Sequence, residues 1–285
     1  MLLPDQFPAS KSTDRFALFA TYDGHGSEMV SEHVRQNIPH LLVGRPEFAE
    51  GDYEIAIARA FSEEDALLLK HAMEEDIEPV IAGSTVALCL VNLTKGIMVV
   101  GNVGDSHILL AKRDPQEESI VWQDRLTTAH KPDTEAEKKR IEDAGGAVHV
   151  YRGTARLGSL NMSRALGDLQ YKNPINTFDI SGAPKSKRAN AALPAERGNL
   201  LSNEPHARTI NLDPSSQYVL LCSTDGVSDI IDERMLMEEV IGDFVKGWRA
   251  ADIAKDVTNA AARLPHSDNC TCVVVFFDGI QSSPM

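Results

Sequence analysis

The stretch STVALCLV-NLTK-GIMVVGNV, residues 84–103, decides the fold. Two runs of β-branched and apolar residues flank Asn92-Leu93-Thr94-Lys95, a connector of turn-forming character, so the stretch reads as an antiparallel β-hairpin. SHILLAKR follows directly after Gly104-Asp105, and SIVWQDRLTT (119–128) extends the same meander. Upstream, FALFATY (16–22) is an apolar strand expected to end at Asp23-Gly24. Downstream, QYVLLCSTDG is a strand ending at Asp225-Gly226, and NCTCVVVFF starts one just after Asp268.

Helical patterns stand between these strands. Residues 27–42 carry Val30, Val34, Ile38 and Leu41 at helical spacing. A second helix over 53–73 is expected to turn Ile55, Ile57, Phe61, Ala66, Leu68 and Leu69 inward. In TEAEKKRIEDAGG (134–146), Thr134 and Glu137 predict a capping box, and Gly145 sits where a C-terminal glycine belongs. Helices also follow over 229–244 and 250–264. Strands joined partly by hairpins and interleaved with pairs of helices predict an α+β fold of mainly antiparallel sheets covered by helices. No repeat or low-complexity tract divides the chain, so residues 1–285 read as one domain. Within it, residues 169–207 mix Pro174, Pro184 and Pro194 with Gly, Ser and Asn, as a surface insertion does. Its Lys185, Lys187 and Arg188 read as a solvated loop.

Composition narrows the function. With 28 basic and 42 acidic residues the net charge is −14, which disfavours nucleic acid or an anionic membrane as partner. No apolar run approaches the ~20 residues of a bilayer span, and MLLPDQFPAS lacks the flanks of a signal peptide. Cys89, Cys222, Cys270 and Cys272 lie in apolar runs and read as buried thiols of a reducing compartment. The expectation is an intracellular protein, cytoplasmic or nuclear by default, with a mitochondrial address left open.

Asp23, Asp105, Asp225 and Asp268 share one kind of position, the end of a buried strand beside Gly or Asn. Asp-Gly is a common turn dipeptide, and Asp278-Gly279 reads as only that. The company of these aspartates carries the signal. Clustered carboxylates raise one another's pKa, and hard oxygen donors suit Mg²⁺ or Mn²⁺ rather than zinc. Asp23-Gly24-His25-Gly26 precedes a helix, whose N–H groups suit a phosphate, and His25 reads equally as a group that protonates a leaving group or as a turn histidine packed locally.

Seven segments in order, FATYDGHGS, AGSTVALCLV, VGNVGDSHILL, LTTAHKPDTEAEKKRIEDAGGAV, RLGSLNMSRALGD, YVLLCSTDGVSD and SDNCTCVVVFF, resemble the metal-dependent Ser/Thr protein phosphatases of type 2C, the PPM family. The resemblance runs from Phe16 to Phe277. It implies a four-layer αββα sandwich and hydrolysis of phosphoserine and phosphothreonine in proteins by a water activated between two Mg²⁺ or Mn²⁺ ions. It implies Asp23 as the bridging ligand, Asp225 and Asp268 on the first metal, and the Gly24 carbonyl on the second. Asp105 and Asp229 match a weaker third metal, and His25 matches the general acid. Arg164 and Asp168 match positions taken here as architectural, and the segment from Leu169 falls where the family carries a flap. The implied partners are phosphoproteins, and the expected state is a monomer.

The sequence departs from the pattern in places. The family's upstream strand bears an Arg that contacts phosphate and a Glu-Asp pair that helps hold the second metal; the chain is expected to begin too late to contain them, with Arg15 no substitute. Ala129 stands where Asp usually precedes His-Lys-Pro, and Ser228 where Trp is frequent. The rival expectation is therefore a pseudophosphatase that binds a phosphoprotein without turnover. A nucleotide-binding module fits poorly, because GNVGDS is no dinucleotide fingerprint and no P-loop occurs.

Overall fold

The computed structural model describes residues 1–74, 77–114, 119–177, 198–265 and 268–278. The basic cluster at 185–188 and most of the Asp278-Gly279 turn lie outside the described residues.

The deciding hairpin forms as read. The strands before it and within it are β1 (Phe16–His25), β2 (Gly83–Asn92) and β3 (Ile97–Val103). β2 and β3 pair antiparallel from Val86↔Val103 to Asn92↔Ile97, and Asn92 Oδ1 closes the turn by accepting the Thr94 and Lys95 N–H groups. The remaining strands are β4 (His107–Asp114), β5 (Ser119–Arg125), β6 (His149–Tyr151), β7 (Thr154–Arg156), β8 (Leu166–Gly167), β9 (His206–Asn211), β10 (Gln217–Ser223) and β11 (Cys272–Phe277). One sheet has the order β1-β2-β3-β9, with β8 added to β2; the other has the order β11-β10-β4-β5; β6 and β7 form a small hairpin. Strand pairing is antiparallel in both large sheets. β9 had no counterpart in the sequence reading, which ran the insertion across its first two residues.

Helices α1 (Met29–Gly44), α2 (Pro46–Glu50), α3 (Tyr53–Glu74) and α4 (Glu78–Ile81) lie on the side of the first sheet. After α5 (Glu135–Asp143) and α6 (Asp225–Ser228), helices α7 (Glu233–Val245) and α8 (Ala250–Ala262) cover the second sheet. The period of the strands builds the layers. Phe16 and Leu18 of β1 pack toward α1 and α3, whereas Ala17 and Phe19 pack between the sheets against Met98, Ile108 and Leu220. Leu109, Val219 and Leu221 face α7 and α8. The result is the αββα sandwich expected. Among the described residues, no helix is long and apolar enough to cross a membrane.

Three local expectations are corrected. Ile55 is 46% exposed, and Ala66 is exposed too; Glu64 and Asp65 are buried on the inner side of α3 instead. Both are partnered there, Glu64 by a hydrogen bond with His33 and Asp65 by an ion pair with Lys172. The capping box at Thr134 does not form. Its hydroxyl donates to Lys131 O, and the Glu137 carboxylate is taken by Ser163, Arg164 and Arg140. The helix expected from Asp229 begins at Glu233, where Asp232 accepts the Arg234 and Met235 N–H groups as the N-cap.

Candidate active site

β1 does not end at Tyr22. Its ladder to β2 continues through Asp23↔Thr85, Gly24↔Ser84 and His25↔Gly83, so Asp23 and His25 sit on a paired strand rather than in a loop. Their side chains follow the pleat to one face. Asp225 follows the end of β10 and opens α6, four residues before Asp229. Asp268 precedes β11, and Thr224 bolts the two segments together: its Oγ1 accepts the Thr271 N–H and donates to Asn269 O. A Cβ at Gly226 would lie 2.5 Å from Asn269 O, so glycine is what lets Asp225 approach Asp268.

The carboxylates converge closely enough to disturb one another. Burial raises the pKa of Asp23, as do the charges of Asp105 and Asp268, while a hydrogen bond with Asp225 and the His25 charge oppose the rise. Asp225 is pushed up to about 7 by burial and by the charges of Asp105, Asp23 and Asp229, with Lys131 opposing. Asp105 is 1% exposed, and its Oδ2 accepts from Lys131 Nζ at 2.5 Å. Asp268 and Asp229 lie at the exposed rim. All five aspartates named from the sequence thus meet at one end of the sandwich, together with Gly24.

This donor set fits divalent cations. Its donors are hard oxygens, they repel one another, and Lys131 and His25 offset that repulsion only in part. The tightest three-carboxylate group among the described residues is elsewhere, at Glu239, Asp243 and Asp256 on α7 and α8. The strand-end aspartates are spread more widely than that group.

His25 stands beside the cluster. Its Nε2–H donates to Asp168 Oδ2 at 2.5 Å, and the Asp168 side chain is wholly buried. Burial works to lower the His25 pKa, but the hydrogen bond and charge of Asp168, with the charges of Asp23 and Asp105, prevail and raise it. A Cβ at Gly83 would meet Asp168 Oδ2 at 2.1 Å and His25 Nε2 at 2.8 Å, so β2 must carry glycine opposite His25. Arg164 faces away from the cluster, with Nε and Nη2 on Glu137 and Nη1 on Glu204 O. That matches the architectural part given to it. Asp168, by contrast, touches His25 directly, and sequence reasoning missed this. It also missed Lys131, whose place in the AHKP run was the available signal.

Comparison with known proteins supplies the remaining argument. The profile of the family described as "Protein phosphatase 2C" matches residues 1–270. The chain belongs to the protein phosphatase 2C family. Among curated members, it is 31% identical over 261 residues to "Probable protein phosphatase 2C 59" of Arabidopsis thaliana, covering 91% of this chain and 70% of that protein. It is 27% identical to "Protein phosphatase 2C homolog 2" of Schizosaccharomyces pombe, covering 95% of this chain and 66% of the relative's length. In fold it is similar to a serine-threonine phosphatase 2C from Toxoplasma gondii, with a TM-score of 0.73 at 23% identity, covering 95% of this chain and 87% of that one. In this phosphatase 2C chain β1 is the edge strand of its sheet. There Leu2 bridges to Leu18 beside a hollow of about 380 Å³ lined by Ala20, Thr21, Tyr22 and Arg35. Arg15 lies just before β1, eight residues from Asp23, or roughly 26 Å along an extended strand.

Proposed function

We propose that this chain hydrolyses phosphoserine and phosphothreonine esters in proteins, with divalent metal held by the aspartate cluster. The observation that carries the reading is the convergence of Asp23, Asp225 and Asp268, from three separate strand ends, beside the buried His25–Asp168 pair. Asp23, Asp225, Asp268 and the Gly24 carbonyl would hold two Mg²⁺ or Mn²⁺ ions, and Asp105 and Asp229 a weaker third. Bound there, such ions supply positive charge that acidifies water and offsets charge on the phosphoryl oxygens.

The chain's own groups do the rest. The aspartates hold their carboxylates on paired or bolted backbone, so little reorganisation accompanies binding. His25, hydrogen-bonded to the buried Asp168, is suited to donate a proton to the departing alkoxide. Nε2 is committed to Asp168, so the proton leaves from Nδ1. No cysteine nucleophile takes part; Cys89 and Cys222 are buried, and burial raises both thiols. The chain acts as one domain and as a monomer on phosphoprotein substrates, without a nucleic-acid partner.

The test is phosphate release from a phosphothreonine peptide with Mn²⁺, comparing the native chain with Asp225→Ala. Release by the native chain and background in the variant are expected. Equal background from both would remove the enzymatic reading and favour the second one, phosphoprotein binding without turnover. That second reading draws on one observation: Arg15 stands at the far end of β1, away from the cluster, and so cannot serve as a phosphate clamp.

A further inference from the structure

Helix α3 carries a carboxylate that none of the steps above uses. Asp65 is 6% exposed and lies outside the aspartate cluster. A buried carboxylate is costly unless paired and hydrogen-bonded, and this one is fully engaged. Its Oδ1 accepts the Gly167 N–H at 2.9 Å, and its Oδ2 accepts from Lys172 Nζ at 2.5 Å and Asn203 Nδ2 at 2.9 Å. Lys172, itself 4% exposed, also donates to Ala165 O at 2.8 Å. One side chain thus holds the amide of Gly167, the residue before Asp168, and both segments that flank residues 178–197.

The held peptide is an unusual one. Gly167 has φ 77° and Asp168 has φ 49°, in the left-handed region that a non-glycine residue keeps only when its surroundings fix it. Asp168 N–H donates to Ala82 O at 2.7 Å on one side, and Asp65 grips the neighbouring amide on the other. The side chain so aimed is the one that meets His25 Nε2.

We propose that Asp65 is a positioning residue for the hydrolytic reaction. It sets the Gly167–Asp168 turn, through it orients the His25 imidazole, and ties that orientation to the chain at Lys172 and Asn203. The inference rests on the reading of His25 as proton donor. Catalytic groups need support to within about 0.5 Å, so loosening this anchor should be felt at the histidine.

Two paired variants isolate the anchor, since each removes the buried charges together: Asp65→Leu with Lys172→Met, and Asp65→Asn with Lys172→Met. Only the second keeps an acceptor for the Gly167 N–H. In Mg²⁺-loaded protein, the downfield imidazole N–H proton resonance of His25 is expected in the native chain, lost in the leucine pair and retained in the asparagine pair. The leucine pair should lose about tenfold or more in kcat on a phosphothreonine peptide, whose alkoxide needs a proton. On p-nitrophenyl phosphate, whose leaving group does not, the loss should stay within about threefold. Added to His25→Ala, the leucine pair should cost nothing further on the peptide. Should the leucine pair not fold, Asn203→Leu serves, with the same substrate bias expected in weaker form. An unchanged His25 resonance, equal losses on both substrates, or losses additive with His25→Ala would each overturn the proposal. If the native chain hydrolyses neither substrate, the functional reading falls, and the resonance comparison alone then decides the positioning role.

Discussion

Gly83 lacks a side chain at the point where His25 and Asp168 meet, and this makes it the sharpest residue-scale test of the dyad. A methyl group there would sit 2.1 Å from Asp168 Oδ2. Gly83→Ala is therefore expected to separate the pair and to cost ~10²-fold in phosphopeptide turnover, the size of a lost general acid. Steady-state kinetics beside a thermal melt checks this, and an unchanged kcat in a folded variant would contradict it. At the same scale the sequence was informative about which residues gather and poor about their partners. Asp23, Asp105, Asp225 and Asp268 could be named because the sequence sets each at the end of a strand run, and Asp229 because the family resemblance supplied it. The Asp168 and Lys131 contacts could not, because both cross more than twenty residues and depend on how the layers stack.

Helix α5 shows how an element can be read correctly while its joints are misread. Its position followed from TEAEKKRIEDAGG, yet Glu137 does not cap it. The carboxylate instead accepts from Arg140, Arg164 and the Ser163 hydroxyl, tying the helix to the strip that leads to Asp168. Glu137→Ala would leave Arg164, 19% exposed, without its carboxylate partner, and should destabilise the chain by ~3 kcal/mol, the range for breaking a buried pair. Thr134→Ala should cost less than the ~1 kcal/mol of a lost N-cap, since the hydroxyl donates to Lys131 O and caps nothing. Urea titrations of both variants test the assignment; a reversed order would restore the capping box. Burial opposes the ionisation of Glu137, but its arginine and serine partners hold its pKa at about 2. The sign follows: its contribution is whole above the ordinary value of 4.5 and is lost as pH falls through about 2. Helix α3 was read with its extent and with Ile57, Phe61 and Leu68 inward, but Ile55 and Ala66 were misplaced, because an inward-facing Glu64 and Asp65 break the apolar stripe that periodicity arguments seek.

Across the molecule, the alternation along β1, β2 and β10 sorts residues into three apolar layers, which is why antiparallel sheets covered by helices were legible from strand runs, while the αββα layering was supplied by the family resemblance. β9 was hidden, because HARTIN alternates weakly and gains its place only by pairing with β3. Two histidines buried near the strand ends give the whole fold an acid weakness. Burial, reinforced by neighbouring cations, lowers His107 to about 3 and His130 to about 4. Both are neutral in the folded chain where the unfolded chain would bind protons, so stability should decline as pH falls from about 6.5 toward 4. The slope is up to ~1.4 kcal/mol per pH unit for each histidine. Raised groups such as Asp225 work in the opposite direction, so the check is the drop in urea midpoint from pH 7.5 to 5.0 in the native chain beside His107→Asn and His130→Asn. A smaller drop in each variant is expected, and an equal drop would contradict it. The central claim concerns the end of the sandwich where the aspartates meet, and Mn²⁺ binding followed by electron paramagnetic resonance tests it most directly. The account predicts saturable binding to the native chain that is lost in a folded Asp23→Asn, Asp225→Asn variant; equal binding by both would contradict it.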